Sequence, residues 1–252
     1  MTAPIAFVTG ASSGFGLATA VRLAEEGYRV IAAARRLDKL ETLASRYPDQ
    51  VLALQLDVAD RAMVKRAIAE LPADYAEVDV LVNNAGLALG LAPAQGASLD
   101  DWQTMIDTNC LGLAAVTHAI LPGMVARNRG QIINIGSIAG DYAYPGGNVY
   151  GASKAFVHQF SLNLKADLFG TAIRVSCIEP GLAGGSEFSQ VRFKGDEGKA
   201  SGLYQGTTPL TPEDIAGTVA WLTSLPSHVN INVIEMMPVC QAPSALAIHR
   251  KS

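Results

Sequence analysis

Pro4-Ile5-Ala6-Phe7-Val8-Thr9-Gly10-Ala11-Ser12-Ser13-Gly14-Phe15-Gly16 stands near the start of the chain, and its reading decides the fold. Pro4 to Thr9 is a short apolar run closed by glycine, the pattern of a buried strand. From Gly14 to Glu26 the apolar residues recur at helical spacing. The turn between them reads Gly-x-x-x-Gly-x-Gly. Strand, glycine-rich turn and helix in that order are what a dinucleotide-phosphate loop needs. The glycines let the backbone turn tightly and approach a pyrophosphate, and the helix start offers unpaired N–H groups and partial positive charge. Gly10, Ala11, Ser12, Ser13, Gly14, Phe15 and Gly16 are therefore candidate cofactor contacts. The spacing differs from Gly-x-Gly-x-x-Gly, and an ordinary turn is the competing reading.

Outward from this unit, strand-like and helix-like stretches alternate to the end. Strands are expected at 29–34, 51–56, 78–82, 131–135, 173–178 and 232–236, and helices at 37–46, 60–70, 100–125, 148–168 and 211–224. Asp60 is expected to cap the third helix, and Pro122 to bend or break the long one. Alternation of this kind predicts an α/β fold: one Rossmann-type, doubly wound parallel sheet of about seven strands with helices on both faces. The 252 residues suit a single dinucleotide-binding domain over 1–252, with a substrate lid around 183–208 and a C-terminal tail at 239–252.

In such sheets the ligand lies beyond the C-terminal strand ends. After the second strand stand Arg35 and Arg36, where an acid would bind a free ribose 2′-OH. Guanidinium groups match a 2′-phosphate in charge and shape, which predicts NADP, with Ser13 adding a hydroxyl. Asp57-Val58 closes the third strand, where Asp57 would bind an adenine amino group or simply lead the next helix. Asn83-Asn84-Ala85-Gly86 closes the fourth, tying strands together and admitting a ribose at Gly86, or forming a plain turn. Asn109 sits inside a helical run that it weakens. That points to a kink and a held water.

Ser137 and the pair Tyr150 and Lys154 supply the chemistry. On one helix the pair is four apart, with Cβ atoms roughly 5–6 Å from each other. A neighbouring ammonium favours the phenolate, and a drop of about three units is worth roughly 4 kcal/mol. The expectation is a phenol that exchanges protons near neutrality while Ser137 orients the reacting oxygen. A Tyr/Lys spacing also arises on any solvated helix face.

Composition narrows the alternatives. A net charge of −4 without a basic block advertises no nucleic-acid surface. No apolar run of spanning length and no leader-like start are read, so a soluble, unexported protein is expected. Cys110, Cys177 and Cys240 suit a reducing compartment and no zinc spacing, and the chemistry requires no metal.

Together these motifs resemble the short-chain dehydrogenase/reductase superfamily. The likeness covers Thr9 to Gly16, Asn83 to Gly86, the positions Asn109, Ser137, Tyr150 and Lys154, and Pro180-Gly181. It implies that those four form a catalytic tetrad. It also implies that the turn Pro180, Gly181, Leu182, Ala183 and, beyond it, Ser186 face the nicotinamide. A narrower resemblance is to bacterial NADP-dependent 3-hydroxy acid dehydrogenases, carried by Leu81–Gly90, Asp107–Asn109, Gly147–Phe156, Val191–Asp196 and His228–Val239. It implies oxidation of serine, allo-threonine or 3-hydroxyisobutyrate, or reduction of semialdehydes such as malonic semialdehyde, by a cytoplasmic homotetramer. A sulfoacetaldehyde reductase group is similar, and a non-catalytic NADP(H)-binding regulator is the reading from another class.

A short acid needs a cation. Arg192 and Lys194 flank Phe193 in the expected lid; in an extended segment both point one way, and one would clamp the carboxylate. A sulfonate would satisfy the same cation.

Overall fold

The computed structural model describes residues 3–243, so residues 244–252 of the expected tail lie outside the described residues. Seven parallel strands form one sheet: β1 (Ile5–Thr9), β2 (Arg29–Ala34), β3 (Val51–Gln55), β4 (Val80–Asn83), β5 (Gly130–Ile135), β6 (Ile173–Pro180) and β7 (Val233–Met236). Their spatial order is β3-β2-β1-β4-β5-β6-β7. The order reverses between β1 and β4, and the crevice above that switch point is where a ligand belongs.

Side-chain alternation explains the layers. Ala6 and Val8 of β1 face one side, packing with α1 (Gly14–Glu25), α2 (Leu37–Arg46) and α9 (Pro212–Ser224) through Leu23, Leu40 and Val219. Ile5 and Phe7 face the other, where α3 (Arg61–Ala69), α5 (Leu113–Arg127) and α6 (Asn148–Asp167) contribute Val64, Ile120 and Leu164. The sheet is buried on both faces, which is why its strands read as apolar runs. Asp60 caps α3 through the Met63 N–H at 2.9 Å, as expected.

Three expectations need correction. The long helical run does not break at Pro122, which lies inside α5. Its irregularity lies earlier: α4 (Leu99–Ile106) passes into a π-helical stretch, Asp107–Gly112, before α5. Second, Leu99–Arg127 is long and apolar enough, by length and composition, to cross a membrane, with a mean hydropathy of 1.5. Met105, Val116 and Met124 are fully buried while Leu99 and Leu111 are exposed, so one face of the run packs as a core helix. Third, the expected lid is not extended. It folds into α7 (Phe188–Arg192) and α8 (Glu197–Gly202).

Candidate active site

A cleft of about 870 Å³ runs across the C-terminal strand ends. At one end lie Ser12, Ser13, Arg35 and Arg36; at the other lie Ser137, Tyr150, Lys154 and Arg192.

The first turn is shaped for close approach. Gly10 has φ +68°, a left-handed conformation that favours glycine, and a Cβ there would stand 2.8 Å from Asn84 Nδ2. Gly16 allows α1 to press on the turn, since its Cβ would fall 2.3 Å from the Gly10 carbonyl oxygen. Ser13 precedes α1 without a side-chain cap, and the first turn of α1 has no acid. The helix start thus keeps donors and positive potential for an anion. Arg36 donates from Nη2 to Ser12 Oγ at 3.1 Å and to Ser13 Oγ at 2.9 Å. Two hydroxyls and a guanidinium meet where a 2′-phosphate is expected. A cofactor of this kind fits the residues present.

Not every predicted cofactor residue faces the cleft. Gly10, Ser12, Ser13, Gly14, Phe15, Arg35, Arg36, Asp57, Val58, Asn84, Ala85, Gly86, Pro180, Gly181, Leu182, Ala183 and Ser186 line it. Ala11, Gly16 and Asn83 are not among the lining residues. Ala11 is wholly buried in the core, because its methyl joins the packing under the turn. Asn83 is buried and donates to Thr117 Oγ1 and Asn134 Oδ1, both at 2.9 Å. Asn83 and Asn134 are register partners on β4 and β5, so the expected strand tie is present. Its amide cannot turn to a ligand without leaving those groups unpaired.

Asn109 sits in the π-helical stretch and is 1% exposed. Its Oδ1 accepts from Leu87 N–H at 2.9 Å, and its Nδ2 donates to the Leu87 carbonyl at 2.8 Å and Ser153 Oγ at 3.0 Å. Those bonds hold the helix irregularity against the loop after β4. A Cβ on Gly86 would lie 3.3 Å from Asn109 Oδ1 and 3.5 Å from Lys154 Nζ, so both polar tips converge beside Gly86.

Tyr150 and Lys154 share the buried face of α6, 8% and 7% exposed. The expected lowering of the phenol does not occur. Burial pushes Tyr150 up to about 12; the Ser137 hydrogen bond and the Arg192 charge act the other way. The Lys154 ammonium donates to the Ile135 carbonyl at 2.8 Å and is itself pushed down to about 8 by burial. Desolvation outweighs pairing, because the amine is directed at a backbone oxygen rather than the phenol. Ser137 lies two residues beyond β5, with its Oγ accepting from Ala139 N–H at 3.1 Å.

The two candidate cations part company. Arg192, at the end of α7, donates to Tyr144 Oη at 2.6 Å and lies 5.4 Å from the Tyr150 ring centroid. The Arg192 and Gly90 backbones are joined by a bond of 2.9 Å. Lys194 turns away and pairs with Asp101 at 2.8 Å. Its expectation fails because α7 replaces the extended segment and Lys194 itself takes a positive φ of 52°. Tyr144, Phe188, Tyr204 and Gln241 line the cleft unforeseen. Phe188 and Tyr204 fall within the expected lid and Tyr144 stands close before the Tyr150 motif, but only chain folding brings these side chains and Gln241 to the cleft. Beside the Pro180 turn, Asp141, His158 and Glu179 bring one potential ligand atom each within 4.8 Å, but a 2.6 Å hydrogen bond already joins His158 Nδ1 to Glu179 Oε1.

Comparison with known proteins agrees with this geometry. The family model for short chain dehydrogenases matches residues 4–196. A "NADP-dependent 3-hydroxy acid dehydrogenase YdfG" of Salmonella typhi is 60% identical over 246 residues, 98% of this chain and 99% of that protein. A "Serine 3-dehydrogenase" of Rhizobium radiobacter is 47% identical over 245 residues, 97% of this chain and 98% of its own length. The closed form of serine dehydrogenase complexed with NADP⁺ superposes with a TM-score of 0.97 at 57% identity, covering 98% of this chain and 100% of that one. The switch-point cleft, the glycine turn and the Ser137–Tyr150–Lys154 group thus have one explanation in common with these matches: the chain belongs to the short-chain dehydrogenase family.

Proposed function

We propose that this chain is an NADP-dependent dehydrogenase interconverting a short 3-hydroxy acid and its semialdehyde. Serine, allo-threonine, 3-hydroxyisobutyrate and malonic semialdehyde are the substrates in view. The observation that carries the reading is one cleft with a serine-buttressed guanidinium, Arg36, at one end and Arg192 beside a buried Tyr150 at the other. Relatives named for NADP, 3-hydroxy acids and serine support both halves. Those names favour a carboxylate over a sulfonate substrate. The intact Ser137–Tyr150–Lys154 group favours an enzyme over a cofactor-binding regulator.

When bound, the cofactor supplies the hydride acceptor for oxidation or the donor for reduction. Arg35, Arg36, Ser12 and Ser13 hold its 2′-phosphate, and the turn from Gly10 with the start of α1 takes the pyrophosphate. Asp57 and Val58 meet the adenine end, Asn84 to Gly86 the ribose, and Pro180 to Ala183 with Ser186 the nicotinamide end. Ser137 holds the substrate oxygen. Tyr150 takes the hydroxyl proton in oxidation and returns it to the carbonyl in reduction. Lys154 orients the ribose, and Asn109 Oδ1 keeps a lone pair for a water that passes protons outward. Arg192 clamps the carboxylate. Residues 183–208 act as the substrate lid of a single domain, and the start of the tail braces it: Gln241 Oε1 accepts from Leu182 N–H at 2.6 Å.

A cytoplasmic homotetramer is part of this reading. The outward faces of α6 and the neighbouring π-helical stretch support self-association, with exposed Phe156 stacked on Phe160 at 5.6 Å and Leu111 nearly half exposed. Light scattering of the purified chain tests it. The function is tested by kcat/KM for serine, 3-hydroxyisobutyrate, malonic semialdehyde and sulfoacetaldehyde, with NADP(H) and NAD(H). Preference for a 3-hydroxy acid pair with NADP(H) is expected; preference for sulfoacetaldehyde, or no turnover on the panel, would overturn it.

A further inference from the structure

Arg36 already holds an anion supplied by the chain itself. Glu187 stands between Ser186 and α7, on the strap that leads to Arg192. Its carboxylate meets the guanidinium with both oxygens: Arg36 Nη1 to Glu187 Oε1 is 3.1 Å, and Nη2 to Oε2 is 2.8 Å. Two parallel contacts of this kind form the fork by which arginine recognises carboxylates and phosphates alike. The remaining Arg36 donors point to Ser12 and Ser13, the hydroxyls proposed above to share the phosphate. Both partners are roughly half exposed, so nothing steric locks the pair in place.

One edge of a guanidinium cannot serve two oxyanions with the same N–H groups. A 2′-phosphate arriving at Arg36 must displace Glu187 or share donors with it, and a carboxylate beside a phosphate dianion repels it. An unphosphorylated ribose presents neither conflict. We propose that Glu187 sets cofactor preference by competing with the 2′-phosphate for Arg36. The inference rests on the NADP reading above. Glu187 holds the affinity for phosphorylated cofactor below what Arg36, Ser12 and Ser13 alone would reach. Phosphate binding also frees the strap from its anchor on the cofactor side, while Arg192 stays clasped to Gly90 at the substrate side.

The test is a set of equilibrium titrations on the full chain, with NADPH and adenosine 2′,5′-bisphosphate against NADH and 5′-AMP. Glu187→Gln keeps the size and removes the charge. It should tighten both phosphorylated ligands about three- to tenfold and change the unphosphorylated pair less than about twofold, a gain of the size an exposed ion pair permits, plus the lost repulsion. In an Arg36→Gln background the same substitution should keep only the share that comes from lost repulsion, less than half of its gain in the wild-type background. Equal gains for both ligand pairs, weaker binding of the phosphorylated pair, or an undiminished gain without Arg36 would each overturn the competition. Glu187→Asp, which keeps the charge on a shorter stem, should give less than half the gain of Glu187→Gln; a full gain would count against it. A wild-type chain with no preference for the phosphorylated ligands would instead sink the NADP reading, and this inference with it.

Discussion

The ammonium of Lys154 lies 5.9 Å from the centre of the Tyr150 ring and donates its hydrogen bond to Ile135, not to the phenol. Helix spacing brings the two onto one face, yet burial governs both, pushing the phenol up to about 12 and the amine down to about 8. The phenol therefore rests protonated, the form that the proposed reduction requires.

Replacing that oxygen is the most direct check. Tyr150→Phe should lower kcat by about 10²- to 10⁴-fold, the range for a positioned proton donor. NADPH affinity, read by fluorescence titration, should stay within about twofold. Turnover at the wild-type level would remove Tyr150 from the chemistry.

In the proposed mechanism oxidation needs the phenolate and reduction needs the phenol. With Tyr150 pushed up to about 12, oxidation kcat/KM should climb with pH through the alkaline range, while reduction holds near neutrality and falls only as the phenol ionises. Ser137 and Arg192 each favour the charged form. Ser137→Ala should therefore slow turnover and also move the alkaline rise to higher pH. A profile that moves to lower pH would contradict the arrangement.

Lys154 has a cost in stability with a definite pH window. Below about pH 8 the amine is charged in both folded and unfolded chains, and the fold bears the full cost of burying it. From about 8 to 10.5 the folded chain releases its proton first, so the cost fades as pH rises. Lys154→Met should thus be more stable than wild type by about 2–3 kcal/mol near pH 7, with the gap closing by pH 10. Urea unfolding at several pH values reads it. A gap that widens with pH would reverse the sign and refute the burial argument.

Arg192 and Lys194 should separate cleanly. Arg192→Ala should raise KM for a hydroxy acid at least tenfold more than for an uncharged alcohol of similar size, since a charge-assisted bond is worth about 1.5–3 kcal/mol. Lys194→Ala should leave both within about twofold, because its partner is the outlying Asp101. Equal KM effects of Arg192→Ala on acid and alcohol would dismiss the clamp.

Gly16→Ala should cost about 1–3 kcal/mol, an overpacking penalty, because its Cβ would strike the Gly10 carbonyl and Asn84. A thermal melt reads it, and an unchanged midpoint would show that the turn gives way.

Local chemistry explains what could be read directly. Strand and helix periodicities, the Asp60 cap, the glycine turn and the Tyr150–Lys154 spacing depend on near neighbours in the chain, so the sequence alone determined the fold class, the family resemblance and the placing of Tyr150 and Lys154 on one helix face. What depends on distant partners did not follow. Pro122 stays within α5, whose Ile120 and Met124 are locked into the core. Asn83 is claimed by Asn134, and Lys194 by Asp101. Whether Lys154 would lower the Tyr150 pKa was a matter of water and direction: only the folded chain removes solvent from both groups and presents the Ile135 carbonyl to the amine. In the same way only tertiary packing carries Glu187, 151 positions along the chain, to Arg36. Spacing sets which residues meet along one element, but burial and long-range contact set their charge and their partners.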